Sequence, residues 1–180
     1  MRGIIACLIL QTMVLLSFTG IARADVTFQG NLLDRPCHID PASQTQDVEF
    51  LDTATPLYRV WPGKSSVKTF RVALINCYAS SIGKVVRLTF SGAQESGLPG
   101  YLAVNGVNAG RLGIGLLDTD GSSLLKLGDA HNHGAGDVVS GSTLTLNFGA
   151  FVQVTPTALA QKSVVPGDYG ATATFELNYL

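Results

Sequence analysis

The sequence predicts an antiparallel β-sandwich that is one strand short of complete. Three observations carry this. Short segments of alternating apolar and polar residues recur along the chain, separated by turn clusters such as Ser96-Gly97-Leu98-Pro99-Gly100, Asp120-Gly121 and Pro166-Gly167-Asp168. No amphipathic helical run interrupts them, and only residues 156–161 suit a helical turn. The last alternating segment, residues 169–179, ends at Leu180, where a sandwich would ordinarily continue with a covering strand.

Residues 1–24 have the layout of a secretory signal. Arg2 opens a basic start, an apolar run extends from Ile4 to Phe18, and Ala22-Arg23-Ala24 forms an A-x-A cleavage site. A membrane anchor is the competing reading, but Gln11 interrupts the run, which is short of the roughly 20 residues a span needs. Taking 24 residues from 180 leaves 156 beginning at Asp25, the size of one domain.

Residues 25–36 (DVTFQGNLLDRP) alternate. Val26, Phe28, Gly30, Leu32 and Asp34 fall on one side of an extended chain, and Thr27, Gln29, Asn31 and Leu33 on the other. One side is therefore apolar, with a glycine notch in its middle. Order fails at a free terminus unless something ties it down, so this strand needs a groove, and we expect the groove to belong to another molecule.

Residues 37–180 form the expected domain, with no internal repeat, low-complexity run or linker. Residues 47–51 (DVEFL) are a short candidate strand. Residues 66–77 (SVKTFRVALINC) set Phe70, Val72 and Leu74 against Arg71, Ala73 and Ile75, and residues 84–91 (KVVRLTFS) set Val86, Leu88 and Phe90 against Val85, Arg87 and Thr89. Residues 101–104, 111–118, 122–126 and 143–152 (TLTLNFGAFV) follow. In the closing segment Ala171, Ala173, Phe175, Leu177 and Tyr179 share one face, which should be well buried.

Cleavage removes Cys7 and leaves Cys37 and Cys77, and an even count in an exported chain predicts a disulfide between them. It also removes Arg2 and Arg23, so ten basic side chains face thirteen acidic ones, with no basic run to attract nucleic acid. No catalytic set, cofactor or metal site is expected. His131-Asn132-His133 in a glycine-rich stretch reads as a solvated turn rather than a chelate. Asp118-Thr119-Asp120-Gly121 opens like a calcium loop, but its glycine comes at the fourth place, so a hairpin turn is expected. The glycines of residues 110–115 precede no helix, and no G-x-S-x-G elbow occurs. Trp61-Pro62-Gly63 is read as a loop packed on the sandwich. The rival reading is a self-contained secreted domain binding carbohydrate through Trp61 and Tyr58.

The segments give about six long strands where an immunoglobulin-type sandwich has seven. With a groove at one end and a loose strand at the other, the chain resembles the pilin subunits of chaperone–usher pili, closest to the minor adaptor pilins of P-type pili. The resemblance spans essentially all of residues 25–180. It is carried by FQGNLLDRPC (28–37), LINC (74–77), GVNAGRLGIGLLDTDGSSLLKLG (106–128) and SVVPGDYGATATFELNYL (163–180).

The resemblance implies an incomplete immunoglobulin-like fold, exported through the periplasm to a surface fimbrium. A periplasmic chaperone would lend a strand to the groove beside Ala171, Ala173, Phe175, Leu177 and Tyr179, and its basic residues would grip the carboxylate of Leu180. At an outer-membrane usher, the extension of a neighbouring pilin would replace the chaperone strand. This chain's own residues 25–36 would act as donor strand in turn. Phe28 would enter the far pocket of the neighbour's groove, Gly30 its tight notch and Leu32 the next site, with Val26 and Asp34 on the same side. The extension is short and no lectin domain precedes it, which fits an adaptor linking fibrillum to rod; no small-molecule substrate is implied.

Overall fold

The computed structural model describes residues 37–180, and their strands fall into two main antiparallel sheets. In the first, β1 (His38–Ile39), β2 (Lys68–Ile75), β9 (Leu144–Val154), β6 (Leu112–Leu117) and β4 (Leu102–Ala103) lie side by side, with β7 (Leu124–Leu125) paired to β6. The second is β11 (Ala173–Tyr179), β3 (Val85–Gly92) and β8 (Asp137–Val138). A ribbon of β5 (Asn105–Gly106) and β10 (Tyr169–Gly170) stands beside them. The architecture is the expected all-β one.

Burial follows the alternation. In β3, Val86, Leu88 and Phe90 are buried while Val85, Arg87 and Thr89 are half-buried; β6, reading LGIGLL, is buried along its whole length because both its faces are covered. Gly115 lets this strand pass under two rings: a Cβ there would lie 2.5 Å from Phe151 and 2.6 Å from Tyr101. At the centre Phe148 packs edge-on to Phe90 at 5.2 Å between centroids and stacks on Phe70 at 5.7 Å. Phe90 in turn meets Phe175 of β11 at 6.2 Å. The expected helical turn is α2 (Pro156–Gln161), capped by Thr155, whose Oγ1 accepts the Ala158 N–H.

Several expectations need correction. Residues 47–51 are extended but form no strand. Ahead of them α1 (Pro41–Gln44) brings up side chains that occupy the outer edge of β2: Ser43 Oγ accepts the Ala73 N–H at 3.0 Å, and Gln46 Nε2 donates to the Arg71 carbonyl at 2.9 Å. The segment therefore runs past the edge of β2 without joining a ladder. The single closing strand is broken at residues 171–172, because Tyr169 and Gly170 pair with β5 while residues 173–179 pair with β3. That exchange of partner needs Gly106, whose φ is +86° and where a Cβ would sit 2.4 Å from the Asp168 carbonyl.

His131 is no solvated turn residue. It is fully buried, its Nδ1 accepts the Leu88 N–H at 2.8 Å, and its Nε2 lies 3.1 Å from Asp137. His133, by contrast, is exposed. Asp118 ties the hairpin to this loop by accepting the N–H groups of Thr119, Asn132 and His133 at 2.8–3.0 Å. Burial opposes the charge on Asp118, but those three hydrogen bonds prevail and hold its carboxyl below the usual range.

Candidate functional site

An open groove of about 1340 Å³ runs between the two sheets. Its floor is core: Phe70 and Val72 from β2, Phe90 from β3, Ile114 and Leu116 from β6, and Ala150 from β9. One wall is residues 44–53, from the end of α1 onward, and the other is the chain from Gly167 to Phe175. Along the first wall Val48 and Phe50 turn inward onto the core. Near its end Phe50 meets Tyr169 at 6.4 Å. Burial, with the adjacent Tyr58, pushes the Tyr169 hydroxyl up to about 12, so it stays neutral at any physiological pH.

The second wall is a strand with a free side. Among the described residues β11 pairs only with β3. Val85 and Leu180 exchange both backbone hydrogen bonds, at 2.9 and 3.2 Å. In an antiparallel ladder every second pair does so, which directs the N–H and C=O groups of Asn178, Glu176 and Thr174 into β3. Those of Ala173, Phe175, Leu177 and Tyr179 point the other way, along the open edge. The far edge of β3 agrees with this phase, since Leu88, Phe90 and Lys84 bond outward to His131, Gly128 and Val139.

The side chains of these four residues, with Ala171, are the ones expected on the core side, and they do pack against it. They are only half-buried, however, where good burial was expected. A layer that should lie over them is not among the described residues, and Ala171, Ala173 and Phe175 face the groove. Leu180 is 63 % exposed, although its backbone is paired. At this end the disulfide Cys37–Cys77 forms as expected and packs with Leu74, Val86, Val139 and Tyr179. The expected donor residues Val26, Phe28, Gly30, Leu32 and Asp34, and the signal, lie outside the described residues.

The Trp61 loop departs from expectation. Trp61 is 84 % exposed instead of packed on the sandwich, whereas Tyr58 is 3 % exposed. With one ring in solvent and the other in the core, the two cannot form a shared sugar platform. Leu57 and Val60 beside Trp61 are exposed as well. The groove's free backbone was legible from sequence only as a missing strand; the wall at residues 44–53 was missed because its extended form is kept by side-chain bonds.

A sandwich with one unpaired apolar edge over an open core is the geometry of an unfinished fold, and comparison agrees. The family model described as fimbrial protein matches residues 26–180. The chain belongs to the fimbrial protein family. This fimbrial subunit is 58 % identical over 156 residues to the fimbrial adapter PapK of Escherichia coli, covering 87 % of this chain and 88 % of that one. It is 56 % identical over 156 residues to protein PrsK of Escherichia coli, again covering 87 % of this chain and 88 % of the relative. Its fold is that of the P pilus rod subunit PapA, with a TM-score of 0.66 at 22 % identity, covering 81 % of this chain and all of that one. The chain is therefore a structural fimbrial subunit with the fold of a pilus subunit.

Proposed function

We propose that this subunit is an adaptor that joins the tip fibrillum of a chaperone–usher pilus to its rod, polymerising by donor-strand exchange. The observation that carries this reading is the edge of β11 left unpaired among the described residues, where the N–H and C=O groups of the alternate residues Ala173, Phe175, Leu177 and Tyr179 point outward, beside a groove that opens onto Phe70, Phe90 and Ile114. Unpaired strand edges over apolar surface recruit other strands. In the periplasm a chaperone supplies one; at the outer-membrane usher the next subunit's extension replaces it. The likeness to an adapter of Escherichia coli supports the position in the fibre.

In the same reading the signal, residues 1–24, is removed and residues 25–36 leave their own domain to fill a neighbour. Val26, Phe28, Gly30, Leu32 and Asp34 face that neighbour's groove. Ala171, Ala173, Phe175, Leu177, Tyr179 and Leu180 are what this subunit offers its chaperone and its own successor. Burying Phe28 and Leu32 fully would contribute about 1.5–3 kcal/mol each.

Co-expression tests this. With the cognate chaperone the mature chain should purify as a 1:1 complex; without it, the chain should aggregate. A donor peptide at about 100 times its dissociation constant should stabilise the domain by about 2.7 kcal/mol through mass action. A monomer equally stable with and without peptide would favour a self-contained domain. The extension is tested separately with Gly30→Leu. Overpacking a tight site costs about 1–3 kcal/mol, so the variant should still bind chaperone through its intact groove but fail to insert into the neighbour. Normal strand exchange by Gly30→Leu would remove residues 25–36 from the donor role.

A further inference from the structure

The rim of the groove carries charge of one sign. Asp47, Glu49, Asp52 and Asp168 line it as exposed carboxylates, and no lysine, arginine or histidine lies among the lining residues. Along the first wall the carboxylates alternate with Val48 and Phe50, which turn into the core, so Asp47 and Glu49 stand on the solvent side. Asp168 sits on the opposite wall, just before Tyr169. None of the four makes an ion pair with a described residue. A strand lying in this groove has its alternate side chains pointing outward, past these carboxylates.

The floor and the free β11 edge would accept any strand with suitable apolar spacing, because backbone bonds carry no sequence information. The rim can discriminate. On the alternation of residues 25–36, Asp25, Thr27, Gln29, Asn31, Leu33 and Arg35 take the outward side, one acid against one base and no lysine, while Asp34 lies on the groove side. We propose that the acidic rim selects a donor strand with net positive charge at its solvent-facing positions over a second copy of this chain, whose outward charges cancel. The inference rests on the donor-strand reading and adds a rule for the order of subunits. Exposed charges of this kind act mainly on the rate of encounter and are screened by salt.

Three peptides of residues 25–36 separate the possibilities: one unmodified, one with Thr27→Lys, Gln29→Lys and Asn31→Lys, and one with aspartate at the same places. All three keep Val26, Phe28, Gly30 and Leu32 toward the groove. The mature chain is diluted from denaturant into each peptide, and the second-order rate of complex formation is followed by anisotropy of a dye on the peptide. At low ionic strength the lysine peptide should associate about tenfold faster than the unmodified one, and the aspartate peptide about tenfold slower. The spread should fall below about twofold at about 0.5 M salt. It should also vanish in the chain carrying Asp47→Asn, Glu49→Gln, Asp52→Asn and Asp168→Asn. Equal rates for all three peptides, or a spread that survives in the neutralised chain, would overturn selection by the rim and leave donor-strand binding intact. Failure of every peptide to bind either chain would overturn the donor-strand reading itself, and this inference with it.

Discussion

Phe148→Ala should lower the melting temperature of the peptide-filled subunit by roughly 6–20 °C, the largest effect expected of a core change here. The ring is 2 % exposed and joins Phe70, Phe90 and His131 at centroid distances of 5.7, 5.2 and 6.1 Å. Truncating a buried phenylalanine removes its transfer energy and leaves a cavity, about 3–5 kcal/mol together. The damage should reach the groove, because Phe90 connects Phe148 to Phe175 on β11. Peptide affinity should therefore fall along with stability. If the alanine variant does not fold, Phe148→Leu keeps most of the volume and should show a smaller loss of the same kind. Calorimetry on the peptide complex is the measurement, and a shift under about 2 °C for Phe148→Ala would show that the cluster is not the centre of the core.

Removing the disulfide should be comparable. Cys37 and Cys77 are 40 residues apart in sequence, and closing a loop of that length is worth about 4 kcal/mol in lost entropy of the unfolded chain. The closed loop contains β1, α1, the extended wall 44–53 and β2, which is one whole side of the groove. Cys37→Ser with Cys77→Ser, or reduction of the wild type, should thus lower thermal stability by roughly 8–16 °C and slow peptide uptake as well. Chaperone complexes prepared with and without reductant allow both to be read. Unchanged stability after confirmed loss of the bond would mean that the wall is held by its other contacts, among them the Ser43 and Gln46 side-chain bonds.

Much of the fold was legible because alternation and burial coincide. The reading of residues 66–77 gave the inward trio Phe70, Val72 and Leu74 of β2, and residues 156–161 gave α2 to the residue. Legibility failed where a local pattern was overruled by something distant. DVEFL has the alternation of a strand, but Ser43 and Gln46, four residues and one residue ahead of it, bond the outer-edge backbone of β2 with their side chains. Residues 169–179 read as one strand, yet Gly106, over sixty residues away, draws the first two into a separate ribbon. His131 looked solvent-bound by its glycine neighbours, and only the fold shows that its ring completes the edge of β3 at Leu88. The site was visible only as a strand count one short of a complete sandwich. Its charge was not, because nothing in the sequence sets Asp47, Glu49 and Asp52 across a groove from Asp168.

The alternation along β11 has one more effect. Since only Ala173, Phe175, Leu177 and Tyr179 present backbone groups outward, the open edge has a reading frame of two residues, with a pitch of roughly 6.8 Å. A guest displaced by a single residue would meet the wrong groups and turn its opposite face to the core. Advance along the groove is therefore counted in whole pitches, like a rack engaging a pinion, and a partly seated guest rests at discrete stations that can be trapped and told apart.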